Sequence, residues 1–358
     1  MLVGFNSTYS VAQSFKKVLQ LPNDFNEISG IQFIDETSFY AINDGGNASV
    51  LLKFDTVTKE LTSLDIDGVV NVDWEDITTD DEGNIFIADI GNNGNARINL
   101  SIYKVENPAK SSGTKLSSSK ISFNYEDQTA FPPNQNQLKY DAEALVWYAD
   151  SLYIFTKNRT APYDGYCYLY VLPDSEGSYT ARLKDSFYFG GSIKELEWIT
   201  AADIKDGKLV LLSSNKCYVF SDINEGAFFD GDLVKYNLGA LTQKESVSFS
   251  ISSTKHIYVA DEKLVGGPNL YHLNLESLKV KTNETPNNVS ISNRCIKVKN
   301  CLGNCGITIY NLEGKKVAQN KFYKTIKVEA GMLQNGIYMV EIKNEEKSFV
   351  YKWHLVGR

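Results

Sequence analysis

The sequence predicts an all-β protein: a five-bladed β-propeller, with room for a sixth blade between Glu106 and Tyr140, followed by a small β-sandwich. Three observations carry this. An apolar hairpin unit recurs five times along the chain. Each copy is followed by at least one further strand. The balance of charge then reverses near residue 285, where a second module begins.

The clearest copy of the unit is Asp73-Trp74-Glu75-Asp76-Ile77, joined through Thr79–Asn84 to Ile85-Phe86-Ile87-Ala88-Asp89. Gly83 supplies the positive φ that so tight a turn needs. Ile85–Ala88 has no polar alternation, as expected of a strand buried on both faces. The other copies run from Glu27 to Asp44, Glu143 to Lys157, Thr200 to Ser214 and Glu245 to Asp261, with spacings of 14 to 17 residues. The copies repeat every 45 to 68 residues, close to a propeller blade of roughly 40–50 residues with loop insertions. Third strands follow at Val50–Phe54, Leu100–Val105, Tyr168–Leu172, Cys217–Phe220 and Leu270–Leu275.

The flanking segments are assigned in order. Residues 1–13 read as the remnant of a signal peptide, ending in the small-x-small pattern Ser10-Val11-Ala12 before Gln13. The propeller is expected over 14–282. A strand in Ser14–Leu21 would complete the last blade, whose own fourth strand, Lys279-Val280-Lys281, is short. Residues 107–138 read as a surface loop with one strand, Lys120–Tyr125, inside it. A polar linker is expected at 283–292, and a sandwich of six or seven strands at 293–358. In the latter, Cys295-Ile296-Lys297-Val298-Lys299 alternates as a solvated sheet face would.

The 358 residues carry a net charge of −8. From Thr285 onward 12 Lys and Arg stand against 5 Asp and Glu, net +7, which leaves the preceding part at −15. An acidic propeller argues against nucleic acid as a partner. No run approaches the ~20 apolar residues of a membrane helix. A monomer is expected.

There is no G-x-S-x-G, P-loop, C-x-x-C or strand-linked G-x-G-x-x-G, and only three His. A Ser-His-Asp or His-dyad hydrolase is therefore disfavoured. The chemistry instead gathers at one rim, where the hairpins begin and end: Glu27, Asp44, Glu75, Asp89, Glu143, Glu245 and Asp261. Asn43, Asn92, Asn93, Lys157, Asn158, Arg159, Asn215 and Lys263 lie among them as candidate ligand-binding residues. Each carboxylate could accept backbone N–H bonds and lock a blade to its neighbour. Alternatively, the cluster could hold a hard cation, Ca²⁺, with Glu75, Asp89 and Glu143 as core ligands. The sequence leaves both readings open. On the second, the rim captures a small molecule, glycan or peptide; the alternative function is a metal-dependent hydrolase of the phosphoesterase or esterase type.

Two resemblances add to this. Ile307–Val317, then Leu333–Ile342, then a basic last strand, resemble the type A C-terminal sorting domain of the Bacteroidetes type IX secretion system. That implies export to the cell surface or medium through the secretion machinery, engaged by residues 293–358. Exported proteins meet oxidising conditions. Cys301 and Cys305 flank Leu302-Gly303-Asn304 at an expected hairpin tip, so a disulfide between them is expected, with Cys295 free. The propeller units Asp73–Ile77, Asp89–Asn93, Asp141–Leu145 with Thr156-Lys157, Thr200–Ile204 and Glu245–Val247 resemble secreted bacterial propellers without an assigned activity. More distantly they are similar to esterase-like, phytase-like and SdiA-regulated propellers. This implies a fold and a rim, not a reaction.

Overall fold

The computed structural model describes residues 10–11, 15–190, 194–223, 226–239, 242–263, 267–275, 288–292, 294–311, 315–331, 333–343 and 348–355. Strands β1 (Ser10–Val11) and β2 (Lys16–Gln20) precede the first blade. Blade 1 holds β3 (Ile28–Phe33), β4 (Ser38–Asn43), β5 (Val50–Asp55) and β6 (Leu61–Ile66). Blade 2 holds β7 (Trp74–Thr79), β8 (Ile85–Asp89), β9 (Ser101–Val105) and, past the short β10 (Lys115–Leu116), β11 (Ser118–Tyr125). Blade 3 is β12 (Ala142–Trp147), β13 (Ser151–Thr156), β14 (Tyr166–Pro173) and β15 (Gly177–Tyr188). Blade 4 is β16 (Ala201–Lys205), β17 (Lys208–Leu212), β18 (Lys216–Ser221) and β19 (Asp232–Asn237). Blade 5 is β20 (Lys244–Ser250), β21 (Ser253–Asp261) and β22 (Asn269–Asn274).

The ring closes with five blades. The innermost strands β3, β7, β12, β16 and β20 stand side by side in cyclic order. β2 pairs antiparallel with β22 and supplies the fourth strand of blade 5. The segment 106–140 makes no sixth blade: β10 extends blade 1 alongside β6, and β11 is the outer strand of blade 2. β11 also pairs in parallel with β15, which fuses blades 2 and 3 into one eight-stranded sheet. Of the expected signal remnant, Ser10–Val11 is β1, lying parallel to β19 on the outer edge of blade 4; the rest of it, and Lys279–Lys281, lie outside the described residues.

Each gap between blades has its own apolar layer, so no single core dominates. Ile42 and Leu51 meet Trp74, Ile77 and Ile87 between blades 1 and 2. Phe86, Ile102, Leu145 and Ile154 fill the next gap. Phe155, Leu169, Leu211 and Phe228 fill the third. Val210, Val219, Val247 and Val259 fill the fourth, and Phe39, Phe54, Ala260 and Leu270 the last. This is why the inner strands are apolar on both faces: each packs against two neighbouring blades.

Polar side chains lock the inner strands to one another around the axis. Ser29 Oγ of blade 1 donates to the carbonyl of Trp74 in blade 2, at 3.0 Å. Buried Asp76 of blade 2 accepts Leu145 N of blade 3 at 2.9 Å and Ala202 N of blade 4 at 3.2 Å on one oxygen. Asp203 of blade 4 accepts Phe249 N of blade 5 at 2.6 Å. Ser248 Oγ of blade 5 accepts Phe33 N of blade 1 at 3.1 Å. Inner strands have one edge without a ladder partner, so these side chains satisfy donors that would otherwise be orphaned.

The C-terminal module is built from five strands among the described residues: β23 (Asn288–Ile291), β24 (Cys295–Asn311), β25 (Lys316–Glu329), β26 (Gly336–Lys343) and β27 (Ser348–Leu355). Three expectations change here. Asn288–Ile291 is a strand paired with β24 rather than linker, because Val289 and Ile291 alternate into the module's core. Residues 295–311 form one long bulged strand, not a hairpin: β25 runs along its whole length, with register shifts between Val298 and Asn304. The bulges bend β24 around a core of Ile296, Val298, Ile307, Val340 and Trp353. Cys301 and Cys305 are joined in a disulfide across that bend, and Cys295 is free and buried. The lysine face of β24 is not simply solvated either, since Lys297 and Lys299 are turned onto blade 4.

Candidate functional site

The channel mouth is shaped by a repeated irregularity. In four inner strands the register with the next strand skips one residue: Ser29, Glu75, Glu143 and Glu245. A bulged residue is left out of the ladder, and its side chain is re-aimed. Two residues before each bulge, Glu27, Asp73, Asp141 and Gln243 accept through their carbonyls the N–H of Asp44, Gly91, Lys157 and Glu262, at 2.8 to 3.1 Å. In blade 1 the bulged residue is therefore Ser29 rather than Glu27.

Asp44, Asp73 and Glu75 each bring a carboxylate oxygen within 4.8 Å of the others. Gly45 and Gly91 wall them in. A Cβ at Gly45 would stand 2.6 Å from Asp73 Oδ1, and one at Gly91 would collide with Glu75 and Asp73. Burial, then Asp44, pushes the Asp73 carboxyl up to about 6. Burial, then Glu143 and Asp44, holds Glu75 well above the usual carboxylate range. Burial also raises Asp44, opposed by the N–H of Gly45.

The neighbouring blade 3 is better compensated. Lys157 Nζ reaches both oxygens of Glu143. Burial alone would lower the Lys157 ammonium, but Glu143 and its neighbours hold it above its ordinary value. Arg159 Nε binds Asp141, and its Nη2 reaches Asn93 and lies 3.7 Å from Glu143. The Arg159, Lys157 and Lys194 cations surround the Trp198 ring at 4.9, 5.4 and 5.2 Å from its centroid. Glu245 and Glu262 are both pushed up to about 7, chiefly by burial.

Several expected ligands stand elsewhere. Asp89 is paired with Arg97 at 2.6 Å and accepts Asp73 N at 3.2 Å. Asp261 accepts Asn269 N at 2.8 Å and Tyr271 OH at 2.8 Å. Both sit at the last ladder position of their strands and bond within their own blades. Glu143 faces Lys157, which leaves Glu75 alone of the three expected core ligands in the carboxylate cluster. Glu27 accepts Asn47 Nδ2 at 2.6 Å. Asn92 holds Tyr140 O at 3.0 Å and Arg97 N at 2.9 Å, a loop-building role. Asn43 donates to Asp24 O at 2.7 Å, and Lys263 Nζ to Asn23 at 3.3 Å, both on the loop before blade 1. Asn215 Oδ1 is buried without a partner.

Asp73, Asp141, Glu262 and Arg97 were absent from the sequence-derived set. Aligning the copies on the parallel Asp73-Trp74-Glu75 and Asp141-Ala142-Glu143 would have exposed the first two. His256 and His272 stack on β21 and β22, with Nδ1 and Nε2 2.9 Å apart, and neither hydrogen-bonds a rim carboxylate.

Residues 283–355 match the family model described as a secretion system C-terminal sorting domain. The protein is accordingly exported by type IX secretion, to the cell surface or the medium. No helix among the described residues is long and apolar enough to cross a membrane. No curated protein sequence matches the chain. Among solved structures it is similar to PorZ, a surface component of the type-IX secretion system of Porphyromonas gingivalis, at 12% identity and a TM-score of 0.33, over 92% of this chain and 45% of that one. The chain therefore spans under half the length of PorZ. A PQQ-bound aldose sugar dehydrogenase from Streptomyces coelicolor shares 10% identity over 74% of this chain and 99% of its own, with a TM-score of 0.46. A gluconolactonase from Xanthomonas campestris shares 13% over 66% and 68%, with a TM-score of 0.36. None of these carries an activity over to this chain.

Proposed function

We propose that this exported propeller binds a ligand at its channel mouth through a divalent cation, Ca²⁺, held by Asp44, Asp73 and Glu75. The observation that carries the reading is the convergence of three half-buried or buried carboxylates with no ion pair of their own among the described residues. Such a set repels itself by about 1–4 kcal/mol per pair at 4 Å. Arg97, Lys157 and Arg159 are already engaged by Asp89, Glu143 and Asp141. All-oxygen donors suit a hard cation, and Ca²⁺ takes six to eight of them. Three carboxylates leave positions open for the oxygens of a glycan, a peptide or another small molecule, with Lys157 and Arg159 on the neighbouring blade for an anionic group.

The test is Ca²⁺ titration of the purified protein by calorimetry, followed by a glycan and peptide binding panel with and without EDTA. Asp73→Asn should abolish both cation and ligand binding. Turnover of phosphoesters or esters that EDTA removes and Ca²⁺ restores would replace binding with metal-dependent hydrolysis. Ligand capture that survives EDTA and Asp73→Asn would refute the cation's role.

A further inference from the structure

We propose that the sheet face carrying Cys295, Lys297, Lys299 and Lys327 is a docking surface for the propeller's own Asp230–Asp232 segment, forming an electrostatic latch that ionic strength opens. The sequence alternates Ile296 and Val298 into the module's core, so Cys295, Lys297 and Lys299 fall on the other face of β24. β25 places Lys327 opposite Lys297 and Glu329 opposite Cys295 on that face.

The structure turns this face onto blade 4. Lys297 Nζ donates to Asp230 O at 2.9 Å. Lys327 Nζ lies 3.5 Å from Asp230 Oδ2, and Lys299 pairs with Asp232. The acidic segment is a firm platform, because Phe228 and Phe229 just before it are fully buried between blades 3 and 4. One antiparallel bridge, Phe187 to Ser292, ties the start of the module to the end of blade 3.

Two further features point to a reversible contact rather than a fused core. Two of the bonds that cross it are lysine–aspartate pairs with partly exposed partners, which salt screens. Cys295 is buried but lies outside the module's apolar cluster, under Asp230, Lys327 and Glu329. It lines a cleft between the two modules, with Asp185 and Asp230 on the propeller side and Lys327 and Glu329 on its own, so opening the latch exposes it further. While the latch is closed the lysines are engaged by the 230–232 segment, so an anionic partner competes with Asp230 and Asp232 for them.

Cys295 provides the readout. The full-length protein is labelled with N-ethylmaleimide in 0.1 M and 1 M NaCl, and the rate at each cysteine is followed by mass spectrometry. Across that range the screening length falls from about 10 Å to about 3 Å. The Cys295 rate should rise about tenfold, the combined effect of two partly exposed ion pairs of ordinary strength. Cys167 and Cys217, buried inside the propeller, should not change. Asp230→Lys with Asp232→Lys should label fast at both salts, and adding Lys297→Glu, Lys299→Glu and Lys327→Glu should restore protection. Zero-length carbodiimide cross-links between Lys299 and Asp232 should form at 0.1 M NaCl and disappear at 1 M. A Cys295 rate insensitive to salt and to charge reversal, or the absence of the cross-link at low salt, would overturn the latch.

Discussion

Removing the Asp76 carboxylate is the sharpest perturbation of the ring that does not touch the channel mouth. Asp76 is fully buried and accepts three backbone donors: Ile77 N at 2.9 Å, Leu145 N at 2.9 Å and Ala202 N at 3.2 Å. The last two belong to blades 3 and 4, whose inner strands have no ladder partner on that side. Asp76→Ala orphans both, at about 1–3 kcal/mol each. Part of this is returned, because burial holds the Asp76 carboxyl well above its ordinary range and its charge is costly where it sits. A net loss of about 3 kcal/mol remains, which for a domain of this size lowers the melting temperature by roughly 6–12 °C. Asp76→Asn keeps one acceptor oxygen and should cost about half as much. Urea unfolding followed by tryptophan fluorescence measures this directly, since Trp74 lies two residues away and is fully buried. The midpoint should fall without a change in m-value. A loss under about 0.5 kcal/mol for Asp76→Ala, within the range of surface substitutions, would refute the idea that side-chain clasps hold the inner strands together.

Three other expectations follow from the same structure. In EDTA the protein should melt higher at pH 5 than at pH 8. Glu245 and Glu262 are pushed up to about 7 in the folded state, so the folded protein holds these protons more tightly, and the stabilisation present at low pH is lost as the pH rises through 7; a melting temperature that climbs from pH 5 to pH 8 would contradict this. Cys301→Ser with Cys305→Ser should lower the stability of the C-terminal module by about 1–2 kcal/mol, because the disulfide closes a very short loop; loss of the folded module by circular dichroism would show the bend to depend on the bond. Finally, a chain ending at residue 284 should keep a cooperative unfolding transition, because β2 already closes blade 5, yet remain in the periplasm of its host. Surface display of that truncation would contradict the sorting role of residues 283–355.

Much of the architecture was legible because propeller hairpins are local. Ile85–Ala88 and its counterparts announce strands buried on both faces, and the closing role of Ser14–Leu21 followed from the shortness of the fourth strand read at Lys279–Lys281 in blade 5. The channel mouth was harder to read. The bulges at Glu75, Glu143 and Glu245 each insert one residue, so counting from the first carboxylate of a hairpin to its last mispairs the rim: Asp89 and Asp261 fall on the blade's own face, while Asp73 and Glu262 meet the channel. Nothing in the local sequence marks a bulge. The docked face of the C-terminal module was invisible for a different reason. Lys297 and Lys299 alternate with apolar residues as they would on any wet sheet, and only the fold brings Asp230 and Asp232 against them.

The claim on which the functional account rests is the cation, and thermal unfolding in EDTA against Ca²⁺ tests it most directly. With Ca²⁺ at about 100 times its dissociation constant, binding to the folded state alone should stabilise the native protein by roughly 2.7 kcal/mol, and the melting temperature should rise by roughly 5–11 °C. In Asp73→Asn and Glu75→Gln the rise should vanish, while the EDTA form melts no lower than native because a self-repelling carboxylate has been neutralised. Identical melting of the native protein in EDTA and in Ca²⁺ would contradict the account, leaving Asp44, Asp73 and Glu75 as a protonated, structural cluster.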